Sequence, residues 1–200
     1  PEIKKFYRPF SQIITENLPF VTFKIATSLD GKIACANGKS KWISGAASRR
    51  FAHYLRLTHD AILVGSKTYE LDKPSLDCRI EGIEHTSPKA CVLSSRKLDV
   101  KKDVLLLDSK EGLRNALKIL GAQGYQRVLL EGGAHLATSF LKENLINDIY
   151  WITAPKIMGN DARPAITDLG LETMENVPSF IQKTCFSIGE DSIRHFTKEI

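Results

Sequence analysis

The chain contains no apolar run approaching the roughly 20 residues that a membrane-spanning helix needs. Its first residues also lack the charged and apolar pattern of a secretory signal. A soluble, cytoplasmic chain is therefore expected. Cysteine is scarce, and Cys35, Cys78, Cys91 and Cys185 have no metal-ligand spacing, which favours free thiols in a reducing compartment over a disulfide framework. None of the histidines, His53, His59, His85, His135 and His195, pairs with Cys or Glu at ligand spacing, so no metal site is expected. The absence of H-x-E with P-C-x-x-C excludes a zinc deaminase within these residues. The absence of G-x-S-x-G argues against a serine hydrolase. No strand is followed by G-x-G-x-x-G, which disfavours an ordinary Rossmann dinucleotide site.

What is present is the composition of a globular domain: 42% hydrophobic and 26% charged residues over 200 positions. The net charge of +5 comes from lysines and arginines spread along the chain without aromatic interleaving. Anionic small molecules account for that excess as well as nucleic acid does. Residues 1–18 are polar, aromatic-spotted and aperiodic, and the chain opens on Pro1 rather than Met, as in a domain taken from a longer protein. We therefore expect a linker or N-terminal extension over 1–18 and one domain over 19–200.

Residues 20–26 alternate between apolar and polar, whereas 61–65 are continuously apolar, as in a strand covered on both faces. Between them Ser44 is a fair N-cap for a helix over 46–58, with Phe51, Tyr54 and Leu55 on one side. Further strands fit 90–93, 104–107, 128–130 and 149–154, and helices fit 111–120 and 134–144. Residues 180–188 and 192–197 read as an antiparallel hairpin around Gly189-Glu190-Asp191. The pattern predicts an α/β fold with a mixed sheet and a C-terminal hairpin.

Three stretches suggest chemistry. An apolar strand ends in Glu131 and a Gly132-Gly133 turn that opens a helix, and such a turn offers unpaired N–H groups to a phosphate. A corner that merely packs is an equally good reading. Trp42, beside Ser40 and Lys41 in a glycine-bearing loop, suits the flat face of a base, although a lone Trp is usually core. Asp30-Gly31 nearby reads better as a tight turn. The helix over 46–57 carries Arg49, Arg50 and Arg56 without any carboxylate, and Arg56, nearest the apolar side, is the best candidate for an anion. Finally Ser94, Ser95 and Arg96 end a strand with the hydrogen-bonding groups of a phosphate-monoester site.

Taken together, VTFKIATSLDGKIA at 21–34, SKWI at 40–43, DAILVG at 60–65, LEGG at 130–133 and APKIMG at 154–159 closely resemble the reductase domain of the bifunctional riboflavin-biosynthesis deaminase/reductase. The resemblance runs in order from about residue 19 to the C-terminus. It implies a dihydrofolate-reductase-like three-layer fold with a central mixed sheet flanked by helices. It also implies NADPH-dependent reduction of 5-amino-6-(5-phosphoribosylamino)uracil, whose ribose opens so that C1' accepts hydride.

Carried over by matching motifs, NADPH would contact Ala26, Trp42, Thr68, Asp72, Ser95 and the run Gly133, Ala134, His135, Leu136, Ala137, Thr138 and Ser139. Substrate would contact Lys24, Ser40, Arg56, Leu76, Arg79 and Glu131, with Lys24, Glu131 and Asp72 nearest the chemistry. Many relatives have two acids before the proline where this chain has Asp72-Lys73-Pro74. The resemblance further implies an N-terminal zinc deaminase in the full-length chain and a homodimer. A pterin or dihydrofolate reductase of the same fold is an alternative, but it needs a carboxylate on the first helix. A noncatalytic anion- or nucleic-acid-binding module would leave the glycine turns and Trp42 unexplained.

Overall fold

The structure, a computed structural model, describes residues 2–198. In chain order the elements are α1 (Glu2–Glu16), β1 (Phe20–Thr27), β2 (Lys32–Ala34), α2 (Ala46–Leu57), β3 (Ala61–Gly65), α3 (Ser66–Asp72), β4 (Lys89–Ser94) and β5 (Leu105–Asp108). They continue with α4 (Leu113–Ala122), β6 (Arg127–Leu130), α5 (Ala134–Lys142), β7 (Asp148–Thr153), β8 (Arg163–Pro164), β9 (Phe180–Ile188) and β10 (Asp191–Lys198). The chain divides into two compact units: one joins the residues up to Thr22 with His53–Leu130, and the other joins Phe23–Ala52 with the residues from Glu131 onwards.

The first unit is built on parallel strands in the order β5-β4-β3-β6. Ala61 stands opposite Lys89 on β4 and Val128 on β6, and Cys91 opposite Leu105 on β5. Ile62, Leu63, Val92 and Leu129 are fully buried. Burial on both faces is why these strands read as apolar runs rather than alternations. Asp60 closes one end, its Oδ2 accepting the backbone N–H groups of Gln126 and Arg127 at 2.8 Å each.

Residues 2–16 form a helix, where an aperiodic linker was expected. Gln12 donates to the Pro19 carbonyl at 3.2 Å, and Gly121 of α4 lies so close that a Cβ there would come within 3.2 Å of Ile13. The polar, proline-bearing sequence hides a helix whose apolar side chains find partners on α4. Helix α3 also went unforeseen, because seven residues are too few to show a period.

The second unit carries the strands β1-β7-β10-β9 in that order, with β10 antiparallel to both neighbours. The expected hairpin is present, with a register shift between His195 and Phe196. Phe51 of α2 meets Tyr150 on β7 and Phe186 on β9, with ring centroids 5.7 and 5.8 Å away. Tyr54 is 51% exposed, so the buried stripe of α2 runs through Ala52 and Leu55 instead of the expected Tyr54. Gly45 rather than Ser44 stands immediately before α2, its N–H held by the buried carboxylate of Asp191 at 2.7 Å. All four cysteines are free, and burial pushes the Cys91 thiol up to about 12. Among the described residues no helix is long and apolar enough to cross a membrane, and no group of three or more His, Cys, Asp or Glu is placed to hold a metal ion.

Candidate functional site

Within the second unit Lys24 and Ala26 lie two residues apart on β1 and so share one face of the strand. Lys24 Nζ is 3.9 Å from Glu131 Oε2, and both side chains are largely withdrawn from solvent. A charge pair in such surroundings is screened less than one on an open surface. Glu131 ends the apolar run of β6, and Gly132-Gly133 follows at once.

Helix α5 then starts without a side-chain cap at Gly133 and without an acidic residue in its first turn. Its leading N–H groups and dipole end thus favour an anion. A Cβ on Gly132 would come within 2.8 Å of Leu136, so the close approach of turn and helix requires glycine there. These donors fit a phosphate-bearing cofactor. Of the run expected to contact NADPH, Ala137 is fully buried. The Thr138 hydroxyl donates to the Ala134 carbonyl and accepts from the backbone and side chain of Thr167. Gly133 to Leu136 and Ser139 remain at least partly open to a ligand.

Trp42 is 61% exposed, and the Arg49 guanidinium lies 4.4 Å from its ring centroid. Lys156 donates to the carbonyls of Trp42 and Ile43 at 2.8 and 2.7 Å, tethering this loop to APKIMG. That tether had no signal beyond the motif itself. Ser40 is exposed. Asp30 takes the structural role expected of it, accepting from Ser28, Met158 and Gly159.

Within the first unit Arg56 and Arg79 meet at Asp77, a residue that sequence reasoning passed over. Arg56 Nη1 donates to the Asp77 carbonyl at 2.9 Å and lies 4.0 Å from Oδ1, while Arg79 Nε lies 3.4 Å from the same Oδ1. Arg56 is the buried member, with its side chain 12% exposed, and Arg79 the exposed one at 64%. Partial burial acts to raise the pKa of Asp77. The Ser75 hydroxyl, its own backbone N–H and the two arginines outweigh that and hold it below the ordinary value. Leu76 is 2% exposed and packs with Ile62, Val64 and Val92, so only its backbone is placed to touch a ligand.

Thr68 and Asp72 lie four residues apart on α3 and therefore on one side of it. Ser95 is exposed at the end of β4, whereas the Ser94 hydroxyl is turned in to the Arg96 carbonyl at 2.8 Å. The Arg96 guanidinium is paired with Glu70. Glu70, 26 residues away along the chain, could not have been assigned to Arg96 from spacing.

The sequence matches the family described as RibD C-terminal domain over residues 19–193. The riboflavin biosynthesis protein RibD of Aquifex aeolicus is 31% identical across 98% of this chain and 63% of its own length. Among solved structures, RibD of Acinetobacter baumannii superposes with a TM-score of 0.87 at 27% identity, over 98% of this chain and 63% of that one. Dihydrofolate reductase from Enterococcus faecalis, complexed with NADP(H), superposes with a TM-score of 0.63 at 14% identity, over 90% and 97% of the two chains, a likeness of fold alone. The expected dihydrofolate-reductase-like α/β fold is thus borne out. The chain spans about 60% of the length of the curated relatives it matches. With that match running through Lys24, the Arg56 helix and the Glu131-Gly132-Gly133 turn, the chain belongs to the RibD C-terminal domain family.

Proposed function

We propose that this chain is the NADPH-dependent reductase of riboflavin biosynthesis and acts on 5-amino-6-(5-phosphoribosylamino)uracil. The observation that carries the reading is the enclosed Lys24–Glu131 pair, which leads directly into the uncapped Gly132-Gly133 turn of α5. NADPH, when bound, supplies hydride to C1' of the ring-opened ribose. Gly133, Ala134, His135, Leu136 and Ser139 hold its phosphates or the atoms beside them, and Trp42, Ala26, Thr68, Asp72 and Ser95 complete its contacts. Arg56 and Arg79 grip the ribose phosphate, where a fork of N–H donors matches phosphate oxygens. Lys24 presents a proton at the nitrogen that was joined to C1', and Glu131 keeps that ammonium in place.

The absence of any carboxylate on α2, whose sequence is AASRRFAHYLRL, favours this substrate over a pterin. On this reading residues 19–200 are the reductase domain, NADPH is the cofactor and the full-length protein carries a zinc deaminase before it. A homodimer in the cytoplasm belongs to the same proposal. The test follows NADPH oxidation by absorbance with the freshly deaminated phosphoribosylaminopyrimidine and, in parallel, with dihydrofolate. Turnover with the first alone supports the reading, and turnover with dihydrofolate alone overturns it. Glu131→Gln should lower kcat by about a hundredfold with NADPH affinity retained, the scale of a lost proton-transfer partner.

A further inference from the structure

Asp77 sets its carboxylate against both arginines, yet neither arginine needs that carboxylate to stay where it is. Arg56 is fastened to the Asp77 backbone carbonyl at 2.9 Å, and the Arg79 backbone N–H donates to His53 Nδ1 at 3.1 Å. The carboxylate in turn is fastened from elsewhere, since the Ser75 hydroxyl donates to Oδ1 at 2.6 Å. Arg79 extends into solvent with its Nε 3.4 Å from that same oxygen. Two guanidinium groups and one tethered carboxylate leave a net charge of +1 where a phosphate would otherwise meet +2. A carboxylate facing guanidinium nitrogens is also the nearest side-chain equivalent of the phosphate itself.

We propose that Asp77 is a specificity-determining residue, a built-in competing anion that weakens phosphate binding at Arg56 and Arg79. The inference rests on the reading that these arginines hold the ribose phosphate. Its chemical sense follows from where the reaction occurs. Reduction at C1' leaves the phosphate unchanged, so the arginines bind substrate and product alike. Grip of that kind lowers KM without raising kcat and delays product release. Asp77 offsets it, and free inorganic phosphate, lacking the rest of the substrate, is turned away.

The test is calorimetric titration of inorganic phosphate at pH 8 into the wild-type chain, Asp77→Asn and Arg56→Ala, together with KM and kcat for the phosphorylated substrate. Asparagine keeps an oxygen for the Ser75 hydroxyl and removes only the charge, and Asp77→Ser serves as a second neutral variant. Removing a unit charge a few ångströms from a dianion should tighten phosphate binding roughly tenfold in both neutral variants, an effect that shrinks in high salt. KM should fall and kcat should not rise. Unchanged or weaker phosphate binding in both variants, with the wild-type circular dichroism spectrum retained, overturns the proposal. If Arg56→Ala leaves KM unchanged, the arginine assignment itself fails. If Arg56→Ala weakens binding while the neutral variants match wild type, only the role of Asp77 falls.

Discussion

Asp30 shows how a single side chain joins distant parts of the chain. Its carboxylate accepts from the Ser28 hydroxyl at 2.5 Å and from the backbone N–H groups of Met158 and Gly159 at 3.1 and 2.8 Å. The Ser28 bond is the largest influence on its pKa, which falls from the ordinary 3.8 to about 2 with the help of the Gly159 and Met158 N–H groups. A folded-state pKa below the unfolded one means that the ionised form stabilises the fold. That contribution is complete above the unfolded value and drains away as pH falls through the folded one. Asp30→Asn should therefore lower the thermal midpoint at pH 7, and the gap to wild type should close between about pH 4 and pH 2. A gap that persists unchanged at pH 2 would show that the mutation acts through something other than the charge. Asp30-Gly31 was legible as a turn because such a dipeptide favours positive φ, and Gly31 indeed has φ 73°. Its partners at 158 and 159 were beyond reach, since nothing local in the sequence records a contact across 128 residues.

At the scale of elements, the same distinction separates what could be read from what could not. Strands β3, β4 and β6 announced themselves because sheets buried on both faces need continuous apolar runs. Helix α5 announced itself through the glycine pair and the residues after it. The Lys24–Glu131 pair joined residues that the family resemblance had singled out separately, whereas the pairing of Arg96 with Glu70 and of both arginines with Asp77 depends on how α3 and the loop after it lie. Helix α1 was invisible because its stabilising partners lie on α4 rather than in its own sequence, the usual source of helix stability in folded proteins. The Gly132 turn gives the sharpest prediction at this scale. A methyl group there would lie 2.8, 3.1 and 3.2 Å from Cδ2, Cβ and Cγ of Leu136. A simple rotation of Leu136 relieves the first contact but not the one with its own Cβ, so the start of α5 must move. Gly132→Ala should cost about 1–3 kcal/mol in a urea titration, the range found for overpacked sites. NADPH affinity should fall in the same variant, because the displaced N–H groups are those proposed to meet its phosphates. Loss of stability with unaltered NADPH affinity would separate the turn from cofactor binding.

For the whole molecule the question is whether a chain of this extent holds its cofactor without the remainder of its longer relatives. Every residue proposed to meet NADPH, from Ala26 to Ser139, belongs to this chain, and none depends on a further segment for its place in the fold. A ligand that binds only the folded state stabilises it according to its excess over Kd, by about 2.7 kcal/mol at a hundredfold excess. For a chain of this size each kcal/mol moves the midpoint by roughly 2–4 °C. NADPH at a hundred times its Kd should thus raise the thermal midpoint of the isolated chain by about 5–10 °C. The rise should be smaller in high salt, because the proposed contacts are largely between phosphates and N–H or cationic groups. A flat response across the same concentrations, while a longer relative shows the full rise under identical conditions, would place part of the cofactor site outside these residues. A full rise here, joined to turnover of the deaminated substrate alone, would establish this domain as a self-sufficient reductase.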